Sequence, residues 1–167
     1  MIEFRKAEVS DALTIVQTRQ KVWDTTYRGI YPDKEIDEFD YNWHLKAEQT
    51  RLSNPKFHCH MVMDDGVCVG YFSYGKVTPG TWKDFSFRLH SLYLLPEYQG
   101  RGMGRRIFEQ IKDICLSCGY EEMFLDYHPA NENALAFYRH MGGLITDVDA
   151  GHENPMEDCC TIEYHFT

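Results

Sequence analysis

The stretch Leu92-Tyr93-Leu94-Leu95-Pro96-Glu97-Tyr98-Gln99-Gly100-Arg101-Gly102-Met103-Gly104-Arg105-Arg106 decides how this chain folds and what it can hold. Its apolar opening reads as the end of a strand, Pro96 stops that strand, and Gly100, Gly102 and Gly104 lead into a segment of helical periodicity. A helix that opens on a glycine loop is a receptor for anions. Its first N–H groups have no partner inside the helix and carry partial positive charge, and glycine lets the backbone approach phosphate oxygens. Arg101, Arg105 and Arg106 add cations to a chain whose formal charge is −9. A pyrophosphate or 3′-phosphate is the natural guest. Two familiar phosphate loops fail here: a P-loop needs Gly-Lys-Ser/Thr after its gap, and a dinucleotide fingerprint from Gly100 needs glycine where Arg105 stands.

Upstream, residues 1–7 alternate as a strand. Ser10-Asp11 offers caps for a helix on which Leu13, Val16, Gln20, Trp23 and Tyr27 recur at helical spacing. A second helix is expected after Pro32, with Ile36, Phe39, Trp43 and Ala47 inward, running to about Leu52 before Asn54-Pro55. Residues 57–63 and 67–74 read as strands joined at Asp64-Asp65-Gly66, a hairpin signal, and residues 85–95 as a third strand.

Downstream, residues 102–118 read as a helix with Met103, Ile107, Ile111, Ile114 and Cys118 inward, closed by Gly119. A strand over 120–127, a short helix over 131–140 ending at Gly142-Gly143, a short strand near 144–148 and a last strand over 157–166 complete the order. The fold class is α/β in the mixed sense: about four helices on a mostly antiparallel central sheet of six to seven strands.

No repeat or Pro/Gly/Ser-rich linker interrupts the 167 residues, so residues 1–167 are read as one domain. The acidic balance and the lack of a Lys/Arg run argue against a nucleic-acid partner. No stretch approaches a membrane span, and the first residues form no apolar signal, so no membrane partner and a cytoplasmic location are expected. The six cysteines do not fall at zinc spacing: Cys115 and Cys118 form a lone CxxC, Cys159 and Cys160 are adjacent, and Cys59 lies between His58 and His60 on the opposite strand face. No metal is expected.

Two blocks together carry a family resemblance. Gln99, Gly102 and Gly104 meet the pattern Gln/Arg-x-x-Gly-x-Gly/Ala, and Asn131-Glu132-Asn133-Ala134-Leu135-Ala136-Phe137-Tyr138 matches Asn-x-x-Ala-x-x-Phe-Tyr. In both, the chain resembles the GCN5-related N-acetyltransferases (GNAT), bacterial members of unassigned substrate in particular. One departure is visible: the family usually has Gly-Phe after this helix, whereas Gly142-Gly143 stands here, which would loosen local packing.

The resemblance implies a GNAT fold splayed between the fourth and fifth strands, around Leu94 and Phe124. It implies acetyl-CoA as cosubstrate and acetyl transfer to a primary amine of a small molecule or peptide, by direct attack through a tetrahedral intermediate. Backbone groups of Leu92, Tyr93 and Leu94 would pair with the pantetheine arm, an N–H near Leu94 would face the oxyanion, and amides from Gln99, Gly100, Arg101, Gly102, Met103, Gly104 and Arg105 would hold the pyrophosphate. Asn131 would contact the arm. Tyr138 is the expected general acid toward the leaving thiolate. His90 titrates in the useful range and is the expected base, with ordered water as its rival. Trp23, Tyr27 and Tyr31, beside Asp24, would line the acceptor site and could hold a cationic amine. The acidic residues from Asp147 to Asp158 could likewise attract a polyamine or aminoglycoside. A homodimer through the last strand, Cys159 to Phe166, fits the family habit. The alternative is a non-catalytic acyl-CoA-binding module with the same fold.

Overall fold

The computed structural model describes residues 1–166. Its elements are β1 (Ile2–Lys6), α1 (Ala12–Thr25), α2 (Asp33–Asp37), α3 (Tyr41–Leu52), β2 (Phe57–Asp64), β3 (Val67–Lys76), β4 (Phe87–Leu94), α4 (Met103–Ser117), β5 (Glu122–Tyr127), α5 (Glu132–His140), β6 (Leu144–Asp149) and β7 (Cys159–His165). The seven strands form one sheet in the order β1-β2-β3-β4-β5-β7-β6. All neighbours are antiparallel except β4 and β5. One core packs Phe72, Leu89 and Ile162 of the sheet with Ile107, Phe108 and Ile111 of α4. The opposite face packs Cys59, Met61 and Tyr71 with Ile15 of α1.

The expected mixed fold is found, and the helices on the second face differ from expectation in register. On α1 the buried residues include Ile15, Val16, Arg19 and Val22, while Leu13 is 48% exposed. The single helix expected after Pro32 is two: the chain leaves helical geometry after α2, and the Asp40 carboxylate restarts it by accepting the Trp43 N–H at 3.0 Å. That cap rotates α3 so that His44 and Glu48 are buried and Trp43 is 59% exposed. Of the expected positions Val16, Tyr27, Ile36 and Phe39 are buried, whereas apolar periodicity misplaces Leu13 and Trp43 because the inward faces also carry charge. On α4 the last buried residue is Cys115, and Cys118 is exposed.

Near the C-terminus, β7 lies between β5 and β6. Both edges of Cys159–His165 are therefore paired within the chain, so this strand offers no free edge to a second copy. The edge strands of the sheet are β1 and β6.

Two irregularities shape the centre of the sheet. β4 and β5 share only the pairs Arg88 with Phe124 and Leu89 with Leu125, after which β4 follows β3 and β5 follows β7, opening the expected wedge. Ser73 lies opposite Ser91 and Tyr74 opposite Leu89, so His90 is the extra residue of a β-bulge. Leu89 and Leu92 consequently both pack toward α4, while His90 and Ser91 both face the cavity under α1 and α3.

Candidate active site

The backbone wall of the wedge follows from strand alternation. The Leu95 N–H donates to Val69 O at 2.9 Å, and the register sets Tyr93 and Ser91 in phase with it. Their main-chain groups are therefore spent on β3, and those of Leu92 and Leu94 point to the open side. Of the three residues expected to pair with a ligand arm, Leu92 and Leu94 present backbone, whereas Tyr93 contributes its ring. The Leu94 carbonyl already accepts from Gln99 Nε2 at 2.9 Å, which ties the loop to the strand and leaves the Leu94 N–H facing the wedge.

The loop ends at an uncapped helix. Gly100 and Gly102 adopt φ of +71° and +77°, a left-handed backbone that glycine takes without strain. Gly102, at the N-cap of α4, supplies no side-chain cap, so the amides of Met103, Gly104 and Arg105 are open to an anion. A Cβ at Gly104 would come within 3.2 Å of the Phe137 ring; this glycine lets α4 approach α5. Arg106 instead turns its guanidinium over Phe4, 4.8 Å from the ring centroid.

α5 delivers Tyr138 to the same wedge. Its ring lies 6.2 Å from Tyr127, and burial first, then Tyr93, pushes its phenol well above the ordinary value. The group stays protonated throughout the neutral range. Its main-chain carbonyl accepts from Gly143 N–H at 3.0 Å and from Tyr164 Oη at 2.7 Å. A Cβ on Gly143 would stand 2.5 Å from Ile162 Cγ2, so Gly142-Gly143 does not loosen this corner; the second glycine is required by close packing. Asn131 Oδ1 caps α5 by accepting the Ala134 N–H at 3.2 Å.

On the opposite side a cavity of about 560 Å³ opens between the sheet and α1 and α3. Trp23, Tyr31 and His90 border it as expected. Tyr27 lies behind them, stacked on Tyr31 at 4.5 Å. Asp24 is turned away into an exposed ion pair with Arg28, so it does not join these aromatics. His90 rests 5.3 Å from the Phe57 ring. Burial, with Arg88 and Arg51 adding to it, pushes its pKa down to about 4, out of the range expected from the sequence. It is neutral at physiological pH and a weak base. His128 is engaged at both nitrogens, by Ala130 N–H at 3.1 Å and Pro155 O at 2.6 Å, and serves its loop.

Sequence reasoning missed the buried polar group on the cavity floor. Arg19 donates to Glu48 at 2.6 Å and to Tyr71 Oη at 2.9 Å, and lies 3.3 Å from His44 Nδ1. Glu48 also accepts from Arg51 at 2.9 Å. A signal existed: Arg19 sits among Ile15, Val16 and Val22, and His44 and Glu48 share an i,i+4 face. No group of three or more metal-ligating side chains occurs among the described residues.

The wedge, the uncapped glycine loop and the Tyr138 phenol are brought together by β4, α4 and α5. The model of the Acetyltransferase (GNAT) family matches residues 17–142, and the chain belongs to that family. It is 30% identical over 103 residues to the N-alpha-acetyltransferase RimI of Mycobacterium tuberculosis, covering 62% of each chain. It is 24% identical over 156 residues to the spermidine N(1)-acetyltransferase of Thermoplasma acidophilum, covering 89% of this chain and 91% of that one. The solved structure of the PaiA N-acetyltransferase of Thermoplasma acidophilum with coenzyme A superposes with a TM-score of 0.75, at 22% identity and 99% coverage of both chains.

Proposed function

We propose that this chain is an acetyl-CoA-dependent N-acetyltransferase acting on a primary amine, with residues 1–167 as one catalytic unit. The observation that carries the proposal is the open edge of Leu92 and Leu94 running directly into the uncapped start of α4. An extended pantetheine arm fits that edge as an added strand, and a pyrophosphate fits the amides of Gly100 to Arg105. When bound, acetyl-CoA supplies an acetyl group activated as a thioester.

The protein's own residues do the rest. The Leu94 N–H donates to the oxygen that gains charge as the amine attacks. Tyr138, held neutral, donates its proton to the departing sulfur, the relay being favoured only at hydrogen-bonding distance. The neutral imidazole of His90 orients the water through which the incoming ammonium passes its proton to bulk solvent; at a pKa of about 4 the ring does not keep that proton. Trp23 and Tyr31 flank the acceptor, and Tyr27 holds Tyr31 in place. Six free thiols suit a reducing cytoplasm; no helix of the described residues is long and apolar enough to cross a membrane.

Thermal unfolding with acetyl-CoA, CoA, ATP and NAD in parallel tests the reading. A ligand at about 100 times its dissociation constant stabilises by roughly 2.7 kcal/mol. Stabilisation by acetyl-CoA and CoA alone, followed by amine-dependent thiol release, is the expected result; stabilisation only by ATP or NAD, or by none, overturns it. Acetyl-CoA binding without thiol release for any amine identifies a binding module.

A further inference from the structure

The acceptor cavity carries a charge opposite to that of the chain as a whole. Its wall contains the cations Arg19, Arg51, Lys56 and Arg88 and one carboxylate, Glu48, in a protein of net charge −9. Lys76 borders the mouth but turns its ammonium over the Tyr120 ring, 5.8 Å away on the other face. Asp126, behind the wall, takes one terminal nitrogen of Arg88 at 3.0 Å. Arg19 is neutralised by Glu48, which it shares with Arg51. Counting Asp126, two carboxylates face four cations, and the surplus is positive.

The charges are also ordered along the cavity. Tyr93 stands beside Tyr138 at the wedge, with Trp23 and Tyr31 nearby in the same wall. Arg88 lies five residues earlier on β4, and Phe57, which follows Lys56, pairs with Gly75 at the same end of the sheet. At about 3.3 Å per residue, shortened by the bulge and by the reach of an arginine side chain, the aromatic and cationic ends stand on the order of 10 Å apart. A cleft lined by one sign of charge concentrates the opposite sign. A polyamine or aminoglycoside would place its second ammonium against Arg51 and Arg88.

Resting on the acetyltransferase reading, we infer that the acceptor is an elongated primary amine whose far end carries an anion, a carboxylate or a phosphate, received by Arg51, Lys56 and Arg88. The amine enters between Trp23 and Tyr31, and its methylene or peptide spacer crosses His90 and Ser91.

Thiol release with 4-aminobutyrate, 6-aminohexanoate and 8-aminooctanoate, against α,ω-diamines and n-alkylamines of equal length, reads this directly; 6-aminohexyl phosphate distinguishes the two anions. Losing a charge-assisted contact corresponds to roughly tenfold to a hundredfold in kcat/KM, so the longer aminocarboxylates or the phosphate should exceed the diamines by that factor. Arg51→Gln and Arg88→Gln should raise KM for the anionic acceptors by a larger factor than for n-alkylamines, and Arg51→Glu should move preference toward diamines. Diamines preferred by the wild type, or variants that slow all acceptors equally, would overturn the inference. Because Trp23 and Trp43 border the cavity, binding of 6-aminohexanoate is also readable as a change in tryptophan emission without turnover. Emission that responds to the anion but not to the diamine keeps the cavity assignment even where acetyl-CoA fails to stabilise the protein; a response to the diamine alone overturns it.

Discussion

The wall from Leu92 to Tyr138 and the wall formed by α1 and α3 meet at Tyr93 and are built on different principles. The first offers main-chain groups: the N–H groups of an unpaired strand edge and of an uncapped helix, with glycines where the backbone turns. The second offers side chains alone, held by a buried ion pair between helices and by aromatic stacking. A backbone receptor suits a ligand that never changes, since it tolerates drift in neighbouring side chains. A side-chain receptor can be re-specified one residue at a time. The two walls should therefore fail differently when altered.

The largest effect is expected at the first wall. Tyr138→Phe removes the proton donor and keeps the ring that packs against Phe137 and Tyr127. Turnover should fall by roughly a hundredfold to ten-thousandfold, while stabilisation by acetyl-CoA is unchanged. Equal turnover with an unchanged pH profile removes Tyr138 from the chemistry and leaves the first wall purely a binding surface.

At the second wall the corresponding loss is one of stability. Glu48→Ala leaves the buried Arg19 without its carboxylate, and breaking one side of a buried pair costs about 3–5 kcal/mol. The expected outcome is a large drop in Tm, with acetyl-CoA still adding its full increment to whatever folded protein remains. A variant with normal stability would mean that His44 and Tyr71 alone hold Arg19.

These differences also explain what the amino-acid sequence revealed. The glycine loop and the Asn131–Tyr138 block were legible because backbone chemistry dictates residue type locally: a side chain is strained where φ is +77° at Gly102, and few residues cap a helix as Asn131 does. The wedge followed from the same resemblance. Arg19 and Glu48 lie 29 residues apart, and only tertiary packing joins them; periodicity placed Leu13 and Trp43 inward because it scores charge as surface. The bulge at His90, which delivers that ring to the cavity, has no local signature. Nor does the position of β7 between β5 and β6, which is decided by long-range pairing.

A third test sits where Tyr138 is anchored. Gly143→Ala places a methyl 2.5 Å from Ile162 Cγ2 and 2.9 Å from both the Tyr138 carbonyl oxygen and Tyr164 Cζ. Overpacking of this kind costs about 1–3 kcal/mol. Because the Tyr138 carbonyl is held from this corner, kcat should fall more than acetyl-CoA binding. Loss of stability without that split would separate the corner's packing role from its positioning of Tyr138.

The smallest effect distinguishes the walls by pH. The second contains His44, stacked on Phe39 at 4.1 Å, and His90, both pushed down to about 4 chiefly by burial and further by nearby arginines. The stretch from Gln99 to Arg105 contains no group that titrates in this range. An unfolded histidine titrates near 6.5, so between about 6.5 and 4 the unfolded chain binds more protons than the folded one at these two sites, and stability falls as pH is lowered through that window. Above about 6.5 both forms are neutral and the dependence is flat. His58 and His60, also pushed down chiefly by burial, add to the trend, and depressed carboxylates such as Asp11 and Asp64 act below the window. His152, raised by Asp149, opposes the trend but is fully exposed and contributes little. Tm should drop by on the order of 5 °C between pH 6.5 and 4.5, and His44→Phe, which keeps the stacking surface, should shrink that drop. A Tm that is level across the interval, or a drop that His44→Phe leaves intact, would mean that the second wall takes up protons as readily as solvent-exposed histidine does.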